Sequence, residues 1–276
     1  MIRACVIGWP VSHSRSPLIH GHWLQRYGID GSYVRHPVEP GDVADFLSTL
    51  RHQGFAGCNV TVPHKEAAFA ATSETRPAAR AAGAANTLWF EAGRLVADNT
   101  DSGGFMNSLG AALPGLQLAG ATVSVLGAGG AARGIVFALL ERGVAEVRIF
   151  NRTYDRAEAV AAYFGPRVKP HNWRERTDRS RDASLLVNTT SLGMKGAGPL
   201  DIDVSALDSK CAVADIVYVP LETPLLAAAR TRGLAAVDGL GMLLHQAVPG
   251  FEKWFGVRPE VTADLRALIE RDIEGA

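Results

Sequence analysis

The sequence predicts an α/β protein made of two α/β domains, and three observations predict it. Short β-branched apolar runs alternate with longer helix-patterned segments along most of the chain, the pattern of strands joined by helical crossovers. A glycine-rich turn followed by its own series of strands and helices opens only at residue 127, so the residues ahead of it make a separate domain. After Gly241 the pattern is helical throughout.

Taken in order, the first domain begins with a strand over residues 4–8, a polar loop and a helix from Pro17. A proline suits a first helical turn because its missing N–H would have no partner there. A strand is expected near 33–36, a helix over 42–53, a strand over 57–61 and a helical stretch beyond Pro63. The second block starts with a helix after Asp101, and its strands fall at 122–126, 146–150, 185–188, 212–216 and 235–237. Residues 172–182 are rich in Arg and Asp without apolar periodicity and read as a solvated connector. Helices over 242–254 and 262–271 close the chain; the pattern alone allows them to cap the second block or to return to the first domain.

Composition narrows the function classes. Lys+Arg and Asp+Glu both number 28, which removes the general electrostatic case for nucleic acid or an anionic membrane as partner. An apolar fraction of 47% supports a real core. Cys5, Cys58 and Cys211 are odd in number, widely spaced and without a C-x-x-C. Neither a disulfide framework nor a zinc knuckle is expected, only buried thiols in a reducing compartment. The eight histidines show no ligand spacing, so no metal is expected; His13 and His64 read as structural hydrogen-bonding residues. The apolar start is too short for a signal peptide before Pro10. No apolar run approaches the roughly 18 residues of a membrane helix, and a cytoplasmic location is expected.

The run Leu126-Gly127-Ala128-Gly129-Gly130-Ala131-Ala132 follows a β-branched stretch and precedes a helix-compatible one. This G-x-G-x-x-A spacing, between strand and helix, is the context that gives the motif meaning. Gly127 permits the tight turn, Gly129 lets the backbone approach a pyrophosphate, and Ala132 allows close helix–strand packing. The following helix offers free N–H groups to phosphates. At the end of the next strand an NAD enzyme usually carries an acid for the ribose 2′-hydroxyl; here stand Asn151, Arg152 and Thr153, with Arg156 one turn on. Guanidinium groups bind a 2′-phosphate where a carboxylate would repel it. NADP is therefore the expected cofactor, the alternative being that both arginines are ordinary surface charges.

Four polar clusters sit at or just after expected strand ends, where open α/β sheets bind ligands. Ser14 and Ser16 lie ahead of a helix and could cradle a carboxylate, or Ser16 could simply be an N-cap. Asn59-Val60-Thr61-Val62-Pro63-His64-Lys65 places a cation at a helix start, against the dipole, though a solvated lysine is the ordinary alternative. Gly83-Ala84-Ala85-Asn86-Thr87 brings an amide, and Asp98-Asn99-Thr100-Asp101 an acid that could be a cap.

Together these clusters resemble the shikimate dehydrogenase family. The resemblance continues through Asn188-Thr189-Thr190-Ser191-Leu192-Gly193-Met194, Asp215-Ile216-Val217-Tyr218-Val219-Pro220 and Gly239-Leu240-Gly241-Met242-Leu243-Leu244-His245-Gln246-Ala247, so it spans nearly the whole chain. It implies a C-terminal Rossmann-type NADP domain over 102–238 and an N-terminal substrate domain over 1–101, completed by the helices of 239–276. It implies NADPH-dependent reduction of 3-dehydroshikimate to shikimate in aromatic amino-acid (chorismate) biosynthesis. Lys65 and Asp101 would be the catalytic pair. Ser14, Ser16 and Thr61 would hold the carboxylate region, and Asn86, Tyr218 and Gln246 the ring and its hydroxyls. Gly127, Ala128, Gly129, Gly130, Ala131, Asn151, Arg152, Thr153, Arg156, Ile216 and Gly239 would contact NADP, with Met242 near the nicotinamide. Small molecules are the expected partners, with the enzyme a monomer or homodimer. A quinate- or aminoshikimate-using paralogue and a catalytically silent NADP sensor are the competing readings. Ser16 and the Asn-Arg-Thr segment argue against quinate with NAD, and retention of Lys65 and Asp101 argues against a sensor. Three positions depart from the family pattern: Gly21, Pro77, and Ala97, where a glycine is usual and a positive φ would disfavour alanine.

Overall fold

The computed structural model describes residues 1–275, and the chain divides into two compact units: Met1–Asp101 with the segment from Leu244 onward, and Ser102–Leu243. Residues 239–243, read from sequence with the substrate domain, cluster with the second unit. The strands of the first unit are β1 (Ile2–Gly8), β2 (Gly31–Pro37), β3 (Gly57–Val60), β4 (Glu74–Thr75), β5 (Thr87–Glu91) and β6 (Arg94–Asp98). Between them run α1 (Ser16–Arg26), α2 (Val43–Thr49), α3 (Lys65–Ala70) and α4 (Pro77–Ala82). Helix α5 (Asp101–Ala112) leads into β7 (Thr122–Leu126), α6 (Gly130–Glu141), β8 (Glu146–Asn151), α7 (Tyr154–Phe164), β9 (Val168–Asn172), β10 (Leu185–Asn188), β11 (Ala212–Asp215), α8 (Pro224–Thr231) and β12 (Ala236–Val237). Helices α9 (Gly239–Phe255) and α10 (Ala263–Glu274) end the chain.

The first sheet has the order β2-β1-β3-β5-β6-β4. β1 pairs in parallel with β2 and β3, whereas β5 is antiparallel to β3 and β6. The β5–β6 hairpin is absent from the sequence reading. Its turn carries Ala92 at φ 48° and Gly93 at φ 82°, the paired positive φ values of a tight hairpin turn. The apolar face of β1, β3 and β5 packs on α2 through Ile7, Leu47, Leu50, Val60 and Leu88. An aromatic cluster joins α1, β2 and α9: the His20 ring stacks on Tyr33 at 3.9 Å, and Trp23, Phe251 and Trp254 surround it. Trp254 Nε1 donates to the Leu88 carbonyl at 2.9 Å, Trp23 Nε1 to that of Glu260 at 3.0 Å, and Arg15 pairs with Asp272 at 2.8 Å. The C-terminal helices thus build the core of the first unit.

The second sheet is wholly parallel, in the order β12-β11-β10-β7-β8-β9, a doubly wound arrangement with its order reversing between β7 and β10. Valines and isoleucines of β7, β8 and β10 pack against α5, α6 and α7. Strand β9 escaped the sequence reading because Pro170 interrupts its run; as an edge strand it tolerates the missing donor. Residues 172–182 are more than a solvated connector. A capping box at Asn172 and Glu175 starts one 3-10 turn and a second follows at Asp178–Ser180, Ser180 is buried and bonds Ser124 at 2.8 Å, and Asp182 takes Arg148 at 2.5 Å.

The three departures from the family pattern are benign. Ala97 lies within β6, paired with Leu88 and Thr75, and Ala92 is the one non-glycine residue with positive φ among the described residues. The expected strain at Ala97 is therefore absent, because the turn sits elsewhere. Pro77 occupies the first turn of α4, where proline is favoured. A side chain at Gly21 would meet open space. Among the described residues, no helix is long and apolar enough to cross a membrane.

Candidate active site

In the first unit, Lys65 and Asp101 meet. Lys65 opens α3 and Asp101 opens α5, and Lys65 Nζ donates to Asp101 Oδ2 at 2.6 Å. Their side chains are 30% and 15% exposed, sheltered enough for the charge interaction to exceed that of a surface pair yet open to a small molecule. Asp101 is not the cap of its helix. Asn99 Oδ1 accepts from the Asp101 backbone N–H at 3.1 Å, which leaves both carboxylate oxygens free for Lys65 and Asn86. The lysine that opposed the α3 dipole on paper is compensated by this partner.

Asn86 is buried, and its amide is held in one orientation. Nδ2 donates to Asp101 Oδ1 at 2.8 Å, while Oδ1 accepts from the Thr100 N–H at 2.8 Å and from the Thr87 hydroxyl at 3.0 Å. The reverse orientation would set donor against donor at Thr100 and oxygen against carboxylate at Asp101. Gln246, from α9, lies beside it with Oε1 3.4 Å from Asn86 Nδ2. Beneath these residues Asn59 accepts from the Tyr33 hydroxyl at 2.6 Å and donates to Thr87 Oγ1 at 3.0 Å. Burial pushes the Tyr33 phenol well above its ordinary pKa. Asn59, Thr87 and Thr100 stand in the polar clusters of the sequence without a role of their own there. The available signal was an amide inside the buried run Cys58-Asn59-Val60, where a polar group demands partners.

The remaining candidates of this unit are less engaged. Ser16 is the buried first residue of α1, but the cap position is Arg15 and no side chain caps the helix. Ser14 Oγ accepts weakly from the Ser16 N–H at 3.4 Å, and the Ser14 carbonyl is gripped by Arg35 at 2.6 and 3.1 Å. Thr61, half-buried, continues β3 with its N–H on the Ile7 carbonyl at 2.9 Å. His64 is structural as expected, its Nε2 2.7 Å from the Val38 carbonyl. His13 is exposed and makes no side-chain hydrogen bond among the described residues. No group of His, Cys, Asp and Glu among those residues could hold a metal.

In the second unit the glycine-rich turn leaves the end of β7. Gly127 has φ +105°, and a Cβ there would lie 2.7 Å from Thr189 Oγ1, so glycine is required on both counts. Gly129 caps α6 in an extended conformation with no side-chain cap, and a Cβ on it would meet nothing within 4 Å. Uncapped N–H groups of α6 beside Ala128, Gly130 and Ala131, next to open space, fit a diphosphate. Ala132 is buried against the sheet. After β8, Asn151 Nδ2 bonds the Thr153 carbonyl at 2.8 Å. Arg152 and Arg156 are exposed and form no ion pair among the described residues. At the end of β11, Asp215 accepts from Asn188, Thr223 and the Val217 N–H at 2.7–3.0 Å; burial raises its carboxyl pKa. This fixes the loop with Ile216 and Tyr218, both half-buried. A Cβ on Gly239 would lie 2.3 Å from the Ile216 carbonyl oxygen. Met242 packs partly buried against the core.

A parallel sheet in Rossmann order with this turn, on one chain with an α/β unit holding a lysine–carboxylate pair, defines a two-unit Rossmann-type α/β protein. Three family models match: the shikimate dehydrogenase substrate binding domain over residues 6–88, shikimate/quinate 5-dehydrogenase over 111–193, and the shikimate 5′-dehydrogenase C-terminal domain over 239–269. A protein of Azorhizobium caulinodans named shikimate dehydrogenase (NADP(+)) is 55% identical over 273 residues, covering 99% of this chain and 97% of its own. Shikimate 5-dehydrogenase from Thermus thermophilus, solved in complex with NADP(H) and shikimate, has a TM-score of 0.85 at 37% identity, covering 100% of this chain and 99% of its own. Quinate dehydrogenase from Corynebacterium glutamicum, in complex with NAD, has a TM-score of 0.88 at 31% identity, covering 97% and 98%. The chain belongs to the shikimate dehydrogenase family.

Proposed function

We propose that this chain catalyses the reversible NADPH-dependent reduction of 3-dehydroshikimate to shikimate, and that Lys65 and Asp101 are its catalytic pair. The observation that carries the reading is the Lys65–Asp101 contact of 2.6 Å held within the Asn86 and Gln246 amides. NADPH, when bound, supplies the hydride. Lys65 Nζ gives the proton that the carbonyl oxygen takes up on reduction and receives it on oxidation. Asp101 Oδ2 aims that ammonium, while Asn86 holds Asp101 by its second oxygen. Ser14, Ser16 and Thr61 bind the carboxylate region; Asn86, Gln246 and Tyr218 orient the ring hydroxyls.

The residues of the glycine turn (Gly127, Ala128, Gly129, Gly130 and Ala131) hold the diphosphate. Asn151, Arg152, Thr153 and Arg156 take the 2′-phosphate, for which two unpaired guanidinium groups suit a dianion. Ile216 and Gly239 also contact NADP, with Met242 near the nicotinamide. On this reading the second unit, residues 102–243, is the cofactor domain and the first unit the substrate domain, and the enzyme acts in the cytoplasm as a monomer or homodimer. Lys65→Ala should lower kcat by about 10²–10⁴-fold with KM for shikimate changed only a few-fold, read from NADPH absorbance. A kcat near that of the wild type refutes the assignment.

A further inference from the structure

Thr100 stands next to Asp101 and makes more hydrogen bonds than any turn requires. Its backbone N–H donates to Asn86 Oδ1 at 2.8 Å. Its hydroxyl is 2.8 Å from the Gln246 carbonyl, 3.0 Å from Thr87 Oγ1 and 3.1 Å from Asn86 Oδ1. All four residues are buried, Thr87 completely.

Proton accounting assigns the bonds. Each hydroxyl has one proton to give. Thr87 Oγ1 already accepts from Asn59 Nδ2, and its own proton has Asn86 Oδ1 as acceptor. The Thr100 proton then goes to its nearest acceptor, the Gln246 carbonyl. One residue thereby grips the Asn86 amide with its main chain and α9 with its side chain, while covalently bonded to Asp101. These two grips add to the bonds that Asn86 and Asn99 make to Asp101 itself in limiting its shift relative to Lys65, and the hydroxyl supplies the one that reaches α9.

We propose that Thr100 is a positioning residue: its hydroxyl fastens the Asp101 segment to α9 and so keeps the carboxylate aimed at Lys65 and level with Asn86 and Gln246. The proposal rests on the reading of Lys65 and Asp101 as the catalytic pair. A group misplaced by a fraction of an ångström costs rate rather than fold, so the readout is kinetic.

The experiment measures kcat, KM for shikimate and the melting temperature for the wild type, Thr100→Val, Thr100→Ser, Asp101→Asn and the double variant Thr100→Val/Asp101→Asn. Valine keeps the shape and removes the hydroxyl; serine restores it. The expected result is a kcat about 10-fold lower for Thr100→Val, smaller changes in KM, recovery in Thr100→Ser, and no additional kcat loss in the double variant, because residues acting as one unit are non-additive. A Thr100→Val kcat within two-fold of the wild type, with Asp101→Asn crippled, overturns the role of Thr100 and leaves the pair standing. An equal fractional loss with and without Asp101 also overturns it, since Thr100 would then act elsewhere. A normal kcat in Asp101→Asn overturns the pair and, with it, this proposal.

Discussion

Replacing His20 by phenylalanine should flatten the acid side of the stability profile of the first unit. His20 is completely buried, and neither ring nitrogen has a hydrogen-bond partner. Burial pulls its pKa from 6.5 down to about 3, with the nearby Asn59 side chain offsetting part of the fall. The unfolded chain binds a proton at His20 below its ordinary pKa of about 6.5, whereas the folded chain does not until pH approaches 3. The stability linked to this residue is therefore complete above pH 6.5 and is lost as pH falls from 6.5 toward 3. The slope is about 1.4 kcal/mol per pH unit, so acidifying from pH 7.5 to 5.0 removes about 2 kcal/mol. Phenylalanine keeps the stack on Tyr33, removes two unpartnered polar atoms and does not titrate. The assay is urea unfolding of both proteins between pH 5.0 and 7.5, followed by tryptophan fluorescence. Trp9, Trp23, Trp89 and Trp254 belong to the first unit, so the signal reports chiefly that unit. The difference between the two proteins should widen by about 2 kcal/mol in favour of His20→Phe as pH falls across that range. Parallel pH profiles would show that His20 is protonated in the fold and would sink the argument.

Arg152→Ala should raise KM for NADPH about 10-fold or more, as expected for losing charge-assisted bonds to a dianion, while hardly changing KM for NADH; equal effects on both cofactors would remove the 2′-phosphate role. Gly239→Ala should destabilise the second unit by about 1–3 kcal/mol, because the new methyl meets the Ile216 carbonyl at 2.3 Å; an unchanged melting temperature would show that α9 shifts freely at its start.

Much of the second unit was legible because its strands are short β-branched runs buried on both faces, which differ plainly from the helices between them. Strand β9 was not, since Pro170 argues locally against a strand and only its place at the sheet edge makes it permissible. The β5–β6 hairpin was hidden by a turn of Ala92-Gly93, which lacks the Asn-Gly or Asp-Gly signal that marks such turns. Lys65 and Asp101 were each visible, but their contact joins residues 36 apart in sequence, and nothing local announces it. Asn59, Thr87 and Thr100 were hidden for a related reason: the partners that satisfy them lie on β2, β3, β5 and α9 and in the residues just ahead of β5 and α5, so their meaning depends on the assembled sheet. Ser16 could be read locally as a cap; the structure gives that position to Arg15 because the helix starts one residue earlier than Pro17 suggests.

The split of the first unit across both ends of the chain has a consequence for its synthesis. Residues 102–243 are translated between its two parts, an interval of roughly 7–30 s at about 5–20 residues per second. Throughout that time His20, Trp23 and Tyr33 lack Phe251 and Trp254, and the Leu88 carbonyl lacks its indole donor. The contiguous second unit is expected to fold first on the ribosome. A nascent chain stalled before Phe251 should then be cut by protease within residues 1–101, while its glycine-rich turn is already protected.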